Sequence, residues 1–224
     1  MSIIIVSGPA CAGKSTFIKK TFPDRTIIDL KDFQDKYPVL TYENVAKSYD
    51  DCKKALITAI KEGKEVVLEH TLLREIRRKV YIDAIKEVTN DEIIIYCFKP
   101  SLELLVNRVE ERCGKRGEAD AKNSLNTLEI PTFAEGYSQI FIIKDDEIVE
   151  QIDCDAAIKK FVAATVTNDE ETASKVFEAF LDNEPENVPN NFLEKIKSYA
   201  TMIDEAENEN KLEELATEWL NFYK

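Results

Sequence analysis

Residues 8–15 read Gly8-Pro9-Ala10-Cys11-Ala12-Gly13-Lys14-Ser15. The octet fits the pattern G-x-x-x-x-G-K-[ST]. It follows the apolar run Ile3-Ile4-Ile5-Val6 and precedes a stretch, 15–20, with the composition of a helix. That strand–loop–helix setting separates a phosphate-binding loop from a chance Gly/Lys turn. Two glycines let the backbone curl so that its N–H groups point inward, and the positive end of the following helix adds to the field. Gly8, Ala10, Cys11, Ala12, Gly13, Lys14, Ser15 and Thr16 are therefore expected to cradle ATP or GTP. In such a loop Lys14 reaches the β- and γ-phosphates, and the Ser15 hydroxyl binds Mg²⁺.

Outward from the loop, strands and helices alternate. Residues 3–7, 26–28, 65–69, 93–98 and 139–143 are short apolar runs that read as strands, with a return at 147–151. Residues 43–62 carry apolar positions at helical spacing and end before Gly63, a natural helix terminator. Residues 73–88 and 102–112 read as helices. The segment 29–42 reads as a polar loop, and 113–122 as a charged, mobile stretch with two glycines. The order βαβα predicts a phosphate-loop α/β fold: a parallel five-stranded sheet flanked by helices, with ligands beyond the C-terminal strand ends.

Composition divides the chain. Residues 1–144 hold 23 Lys+Arg against 22 Asp+Glu, whereas 145–224 hold 7 against 21. Six glycines all lie before residue 137. Two units are expected, 1–150 and 155–224, the second a small acidic helical bundle. Its charge reads as solvated surface, or as an interface with a second copy or a protein partner. Five cysteines without C-x-x-C spacing suggest reduced thiols and a cytoplasmic setting. No apolar stretch approaches the length of a membrane span.

Transfer chemistry needs a base and cations beside the cradle. Asp32 is the candidate base, with Asp29 and Asp35 as local competitors. Glu69 ends the strand Val66-Val67-Leu68 and could hold Mg²⁺ through a water, or cap the next helix. His70, the one histidine, suits a structural or substrate-contact role. Arg108, Arg112 and Arg116 could close over the γ-phosphate, or be a solvated basic helix end. Arg74, Arg77 and Arg78 could clamp acceptor phosphates, or be a solvated helix face.

With these stretches in order, residues 3–143 resemble the 5′-polynucleotide kinase group of phosphate-loop kinases. The resemblance rests on the octet, on Leu30-Lys31-Asp32, on Val66-Val67-Leu68-Glu69-His70-Thr71-Leu72 with the basic helix after it, and on Pro131-Thr132-Phe133-Ala134-Glu135-Gly136-Tyr137-Ser138. It implies an ATP- and Mg²⁺-dependent kinase acting on a hydroxyl of a nucleic acid or nucleotide. Asp32 would be the base, and Arg112 the lid residue on the transferring phosphate. The chain departs from the family at Lys31, at Glu69-His70-Thr71-Leu72 and at Asp35, where the phage member has an acceptor-binding arginine. These positions leave room for a hydroxymethyl pyrimidine, a small metabolite or a protein side chain as acceptor. A small-molecule or toxin-like kinase and a non-catalytic ATP-binding regulatory module are the alternatives.

Overall fold

The computed structural model describes residues 2–39, 41–113, 117–180 and 190–205, with 210, 211, 214, 216 and 217. Two compact units emerge: Met1–Pro131 with Ile140–Gln151, and Thr132–Gln139 with Ile152–Lys224.

The apolar runs do become strands: β1 (Ser2–Ser7), β2 (Thr26–Asp29), β3 (Val66–Glu69), β4 (Glu92–Phe98), β5 (Gln139–Lys144) and β6 (Glu147–Asp153). Their order across the sheet is β2-β3-β1-β4-β5-β6. The sheet thus has six strands rather than the expected five, because the return after β5 is a full strand. A two-residue turn joins them, with Asp145 at φ 51 and Asp146 at φ 72. Only antiparallel neighbours can be joined so tightly. β1 pairs in parallel with β3 and with β4, and β2 in parallel with β3. Ile3, Ile4, Ile5 and Val6 are almost wholly buried, as expected for a central strand covered on both faces.

Side chains alternate across the sheet, and each face has its own helices. Ile4, Val6, Val67, Phe98 and Ile143 form one core cluster with Ala12 and with Ile18 of α1 (Lys14–Thr21). α2 (Leu30–Gln34) interrupts the segment read as a polar loop, because the Asp29 carboxylate accepts the Lys31 N–H and caps it. α3 (Tyr42–Lys61) is capped by Thr41 and stops before Gly63, at φ 73. α4 (Glu75–Lys86) follows β3, and α5 (Leu102–Cys113) follows β4. The stretch expected to be mobile contains the start of another helix, α6 (Gly117–Thr127). Residues 114–116 lie outside the described residues.

In the second unit a 3₁₀ turn, Phe133–Glu135, is closed by a reciprocal capping box between Thr132 and Glu135. α7 (Cys154–Val166), capped by Asp153, packs against α8 (Glu170–Phe180) and α9 (Asn190–Asp204). Most of the expected helical bundle beyond residue 205 lies outside the described residues. Among the described residues no helix is long and apolar enough to cross a membrane.

Candidate active site

The register places Ser7, Asp29 and Glu69 at the C-terminal ends of three adjacent strands. Val6 pairs with Glu69, and Glu69 with Asp29. The phosphate loop leaves β1 at this edge. Gly8 has φ 137, and a Cβ there would lie 2.7 Å from both the Cβ and the carbonyl oxygen of Phe98. Its N–H donates to the Thr71 carbonyl at 2.9 Å, which ties the loop to the segment after β3. Gly13, at φ 100, opens α1 without a side-chain cap. Polar donors at such an uncapped helix start face an incoming anion.

Lys14 is buried and curls back over the loop, with Nζ donating to the carbonyls of Gly8 and Pro9 at 3.1 and 2.8 Å. Burial lowers its pKa, while Glu69 and Asp29 oppose that shift and Arg112 adds to it. The Ser15 hydroxyl donates to Glu69 Oε1 at 2.6 Å. Burial raises the Glu69 pKa above the ordinary carboxylate range, against the pull of Ser15 and of Lys14. Lys14, Ser15 and Glu69, named from spacing, therefore converge. Asp29 joins them electrostatically while its carboxylate caps α2.

Asp32 stands exposed on the first turn of α2. Lys31 and Asp35 pair with each other on the same short helix. Ala10 and Thr16 are exposed, Ala12 is buried, and Cys11 adopts φ 63 with a free, half-buried thiol.

The arginines separate into different roles. Arg108 does not hang free as a lid residue. Its guanidinium donates to the Ala12 carbonyl at 3.1 Å and forms a two-pronged pair with Asp146 in the β5–β6 turn. Arg112 is exposed on the last turn of α5, with its charge felt at Lys14. Arg116 lies outside the described residues. Arg74 and Arg77 are exposed at the start of α4.

Arg78 corrects the expectation of a phosphate clamp or a solvated face. It is fully buried, and its Nη1 donates to the carbonyls of Leu72 at 3.3 Å, Leu73 at 3.3 Å and Glu129 at 2.8 Å. Such a guanidinium holds two chain segments together and leaves nothing exposed for a ligand.

His70 is buried at the end of β3. Its ring stacks on Tyr49 at 5.2 Å and meets the Tyr81 ring edge-on at 5.3 Å. Nδ1 accepts the Leu72 N–H at 3.2 Å, and Leu72 itself adopts φ 36. Burial, with Lys14 and Arg77 nearby, lowers the His70 pKa to about 3. Asp146 and Ser7 are the residues that spacing missed. An Asp-Asp pair between two strand patterns is a turn signal, but nothing local points from it to Arg108.

The AAA domain family matches residues 3–129, more than half of the chain. The chain belongs to that family. Among solved structures it is similar to the Pnkp1/Rnl/Hen1 RNA repair complex, at 18% identity and a TM-score of 0.50, covering 57% of this chain. It spans 43% of the length of that chain. A putative kinase from Chloroflexus aurantiacus J-10-fl is also similar, at 17% identity and a TM-score of 0.52, covering 64% of this chain and 87% of the other. At these identities the likeness shows a fold, that of the phosphate-loop kinases. No curated protein matches the chain.

Proposed function

We propose that the AAA-domain unit is a kinase that transfers the γ-phosphoryl group of ATP or GTP to a hydroxyl. One observation carries this reading: the Ser15 hydroxyl and the Glu69 carboxylate meet at 2.6 Å beside the buried Lys14, at an uncapped helix start. An oxygen pair of this kind suits Mg²⁺, which takes oxygen ligands and keeps several of its waters. Ser15 and Glu69 would hold the metal, which would supply positive charge to offset that of the phosphates.

The rest falls to the chain itself. The loop N–H groups hold the phosphates. Lys14 exchanges its carbonyl partners for phosphate oxygens, and Arg112 adds positive charge where negative charge develops. Asp32 takes the acceptor's proton. Asp29 fixes α2 through its cap, and this favours Asp32 as the base, because the Asp32 carboxylate accepts no hydrogen bond from a described residue.

For the acceptor, the polynucleotide-kinase resemblance supports a nucleic-acid or nucleotide hydroxyl. A second reading, a small uncharged acceptor, is favoured by a specific observation: Arg78 is consumed by carbonyls, and Lys31 is matched by Asp35. Labelled γ-phosphate transfer to a 5′-hydroxyl oligonucleotide, a nucleoside and a polyol tests the whole. Transfer to the oligonucleotide should weaken steeply with salt, and transfer to a neutral acceptor should not. Nucleotide binding without transfer to any acceptor would instead support a regulatory module. The acidic excess of residues 145–224 supports a role in protein contact. Light scattering of the full chain at low and high salt tests that role.

A further inference from the structure

His70 is buried just past the end of β3, between Tyr49 of α3 and Tyr81 of α4, and its Nε2 has no hydrogen-bond partner among the described residues. A phenyl ring would fill such a slot without orphaning a polar atom, and an orphaned buried donor is costly. Packing alone therefore does not account for an imidazole here. Its other nitrogen does. Nδ1 accepts the Leu72 N–H at 3.2 Å, and the Thr71 hydroxyl stands 3.4 Å from the same atom. A backbone N–H can only donate, so Nδ1 carries no proton and the ring hydrogen is on Nε2.

Leu72 depends on that partner. It is buried at φ 36, in the left-handed region that a leucine seldom adopts. Such a backbone persists only where its surroundings hold it. Here side chains hold both polar groups of Leu72: the His70 imidazole takes the N–H, and the Arg78 guanidinium takes the carbonyl at 3.3 Å.

The turn so fixed presents the Thr71 carbonyl, which accepts the Gly8 N–H at 2.9 Å. One residue earlier the His70 N–H donates to the Val6 carbonyl at 3.1 Å, so the β1–β3 ladder runs past the strand ends into the first residue of the octet. On the β4 side Gly8 lies against Phe98, whose backbone oxygen a Cβ would meet at 2.7 Å. The phosphate loop thus starts in a clamp. One jaw is a strand, and the other is a turn shaped by one imidazole.

We propose that His70 is a positioning residue of the phosphate loop: by holding Leu72 it fixes the Thr71 carbonyl on Gly8, and so aligns the loop N–H groups for the phosphate chain of a nucleotide. This rests on the nucleotide-binding half of the reading above, not on the choice of acceptor.

Two variants separate positioning from packing. His70→Asn puts an oxygen at the branch position of Nδ1 but leaves the slot between the tyrosines underfilled. His70→Phe fills the slot and removes the acceptor. Calorimetry on the full-length protein measures affinity for a non-hydrolysable ATP analogue with Mg²⁺ and for tripolyphosphate, beside thermal melts. His70→Phe should melt at the higher temperature of the two, yet bind both ligands about 3- to 10-fold more weakly than wild type, the fold-change of one lost neutral hydrogen bond. His70→Asn should melt lower and bind within about twofold of wild type. His70 is the only histidine in the sequence, so the wild type gives one set of imidazole signals in a long-range ¹H–¹⁵N spectrum, and they should report the Nε2–H tautomer whether or not either variant folds.

An Nδ1–H tautomer, a His70→Phe variant that binds like wild type, two variants that bind equally weakly, or affinities that follow the melting temperatures would overturn the proposal. A wild type that binds neither ligand would sink the nucleotide site and the positioning role together. Affinities in the expected order with no acceptor ever labelled would sink the kinase and leave His70 in its role.

Discussion

Arg78→Met should be among the most damaging single substitutions in the AAA-domain unit, although no ligand need be present. The side chain is 0% exposed, and one nitrogen serves three carbonyls, at 2.8, 3.3 and 3.3 Å. A guanidinium nitrogen has two protons, so about two charge-assisted bonds are lost, each worth about 1.5–3 kcal/mol. Methionine keeps most of the stem, which limits the added cavity cost. The expected loss is about 3–5 kcal/mol, or a fall in Tm of about 10 °C for a protein of this size. Arg77→Met, one position away but exposed, should stay within about 0.5 kcal/mol. Arg78→Lys should recover part of the loss. Thermal melts and urea midpoints of the full chain, followed by circular dichroism, make the comparison. Because Arg78 holds the Leu72 carbonyl while the Leu72 N–H holds His70, the same variant should also shift the imidazole signals. If Arg78→Met proves as stable as Arg77→Met, the buried guanidinium is not the staple described above.

Three further outcomes are expected. Glu69→Gln should cut phosphoryl transfer by about 10²-fold or more; since the pKa of Glu69 in the ligand-free fold is raised, the stability tied to its protonated form is lost as pH rises through that value, so the ligand-free variant should be no less stable than wild type at pH 7 in melts. Gly8→Ala should abolish binding of an ATP analogue in calorimetry and lower Tm by several degrees, because its Cβ would meet Phe98 backbone at 2.7 Å, whereas Gly63→Ala, with nothing within 4 Å, should cost only the strain of φ 73, about 1 kcal/mol. Asp32→Asn should lower kcat by about 10²- to 10⁴-fold with little change in melting temperature, and Asp29→Asn, which keeps a capping oxygen for the Lys31 N–H, should leave stability within about 0.5 kcal/mol, so a kcat loss confined to Asp29→Asn would reassign the base.

The donor side of the site was legible in the sequence because its parts are local. Eight residues specify the loop, and the apolar run before it specifies a strand that must be central. Glu69 could be named because an acid at the end of a buried strand has few places to point. Arg78 was not legible. Its partners are backbone carbonyls, one of them 51 residues away, and a carbonyl has no sequence signature. The sixth strand was underread for a related reason. Residues 147–153 are mostly charged and polar, as suits a sheet edge, and lack the apolar pattern that announces a central strand. α2 was missed because five residues cannot show helical periodicity. What betrays it is the Asp29 cap, which becomes visible only once the backbone is known.

The β5–β6 turn would strike a protein engineer as a place to put things. It is short, exposed and distant in sequence from the octet, the kind of site where tags and fluorophores are usually tolerated. Here it is a tether. The Asp145 carboxylate receives the Ser101 N–H at the head of α5, and Asp146 grips Arg108, whose other bond is to the phosphate loop at Ala12. A lengthened turn would release both ends of that grip at once. The same wiring offers an opportunity: a reporter group placed at this turn would sense occupancy of the donor site from the outside of the molecule.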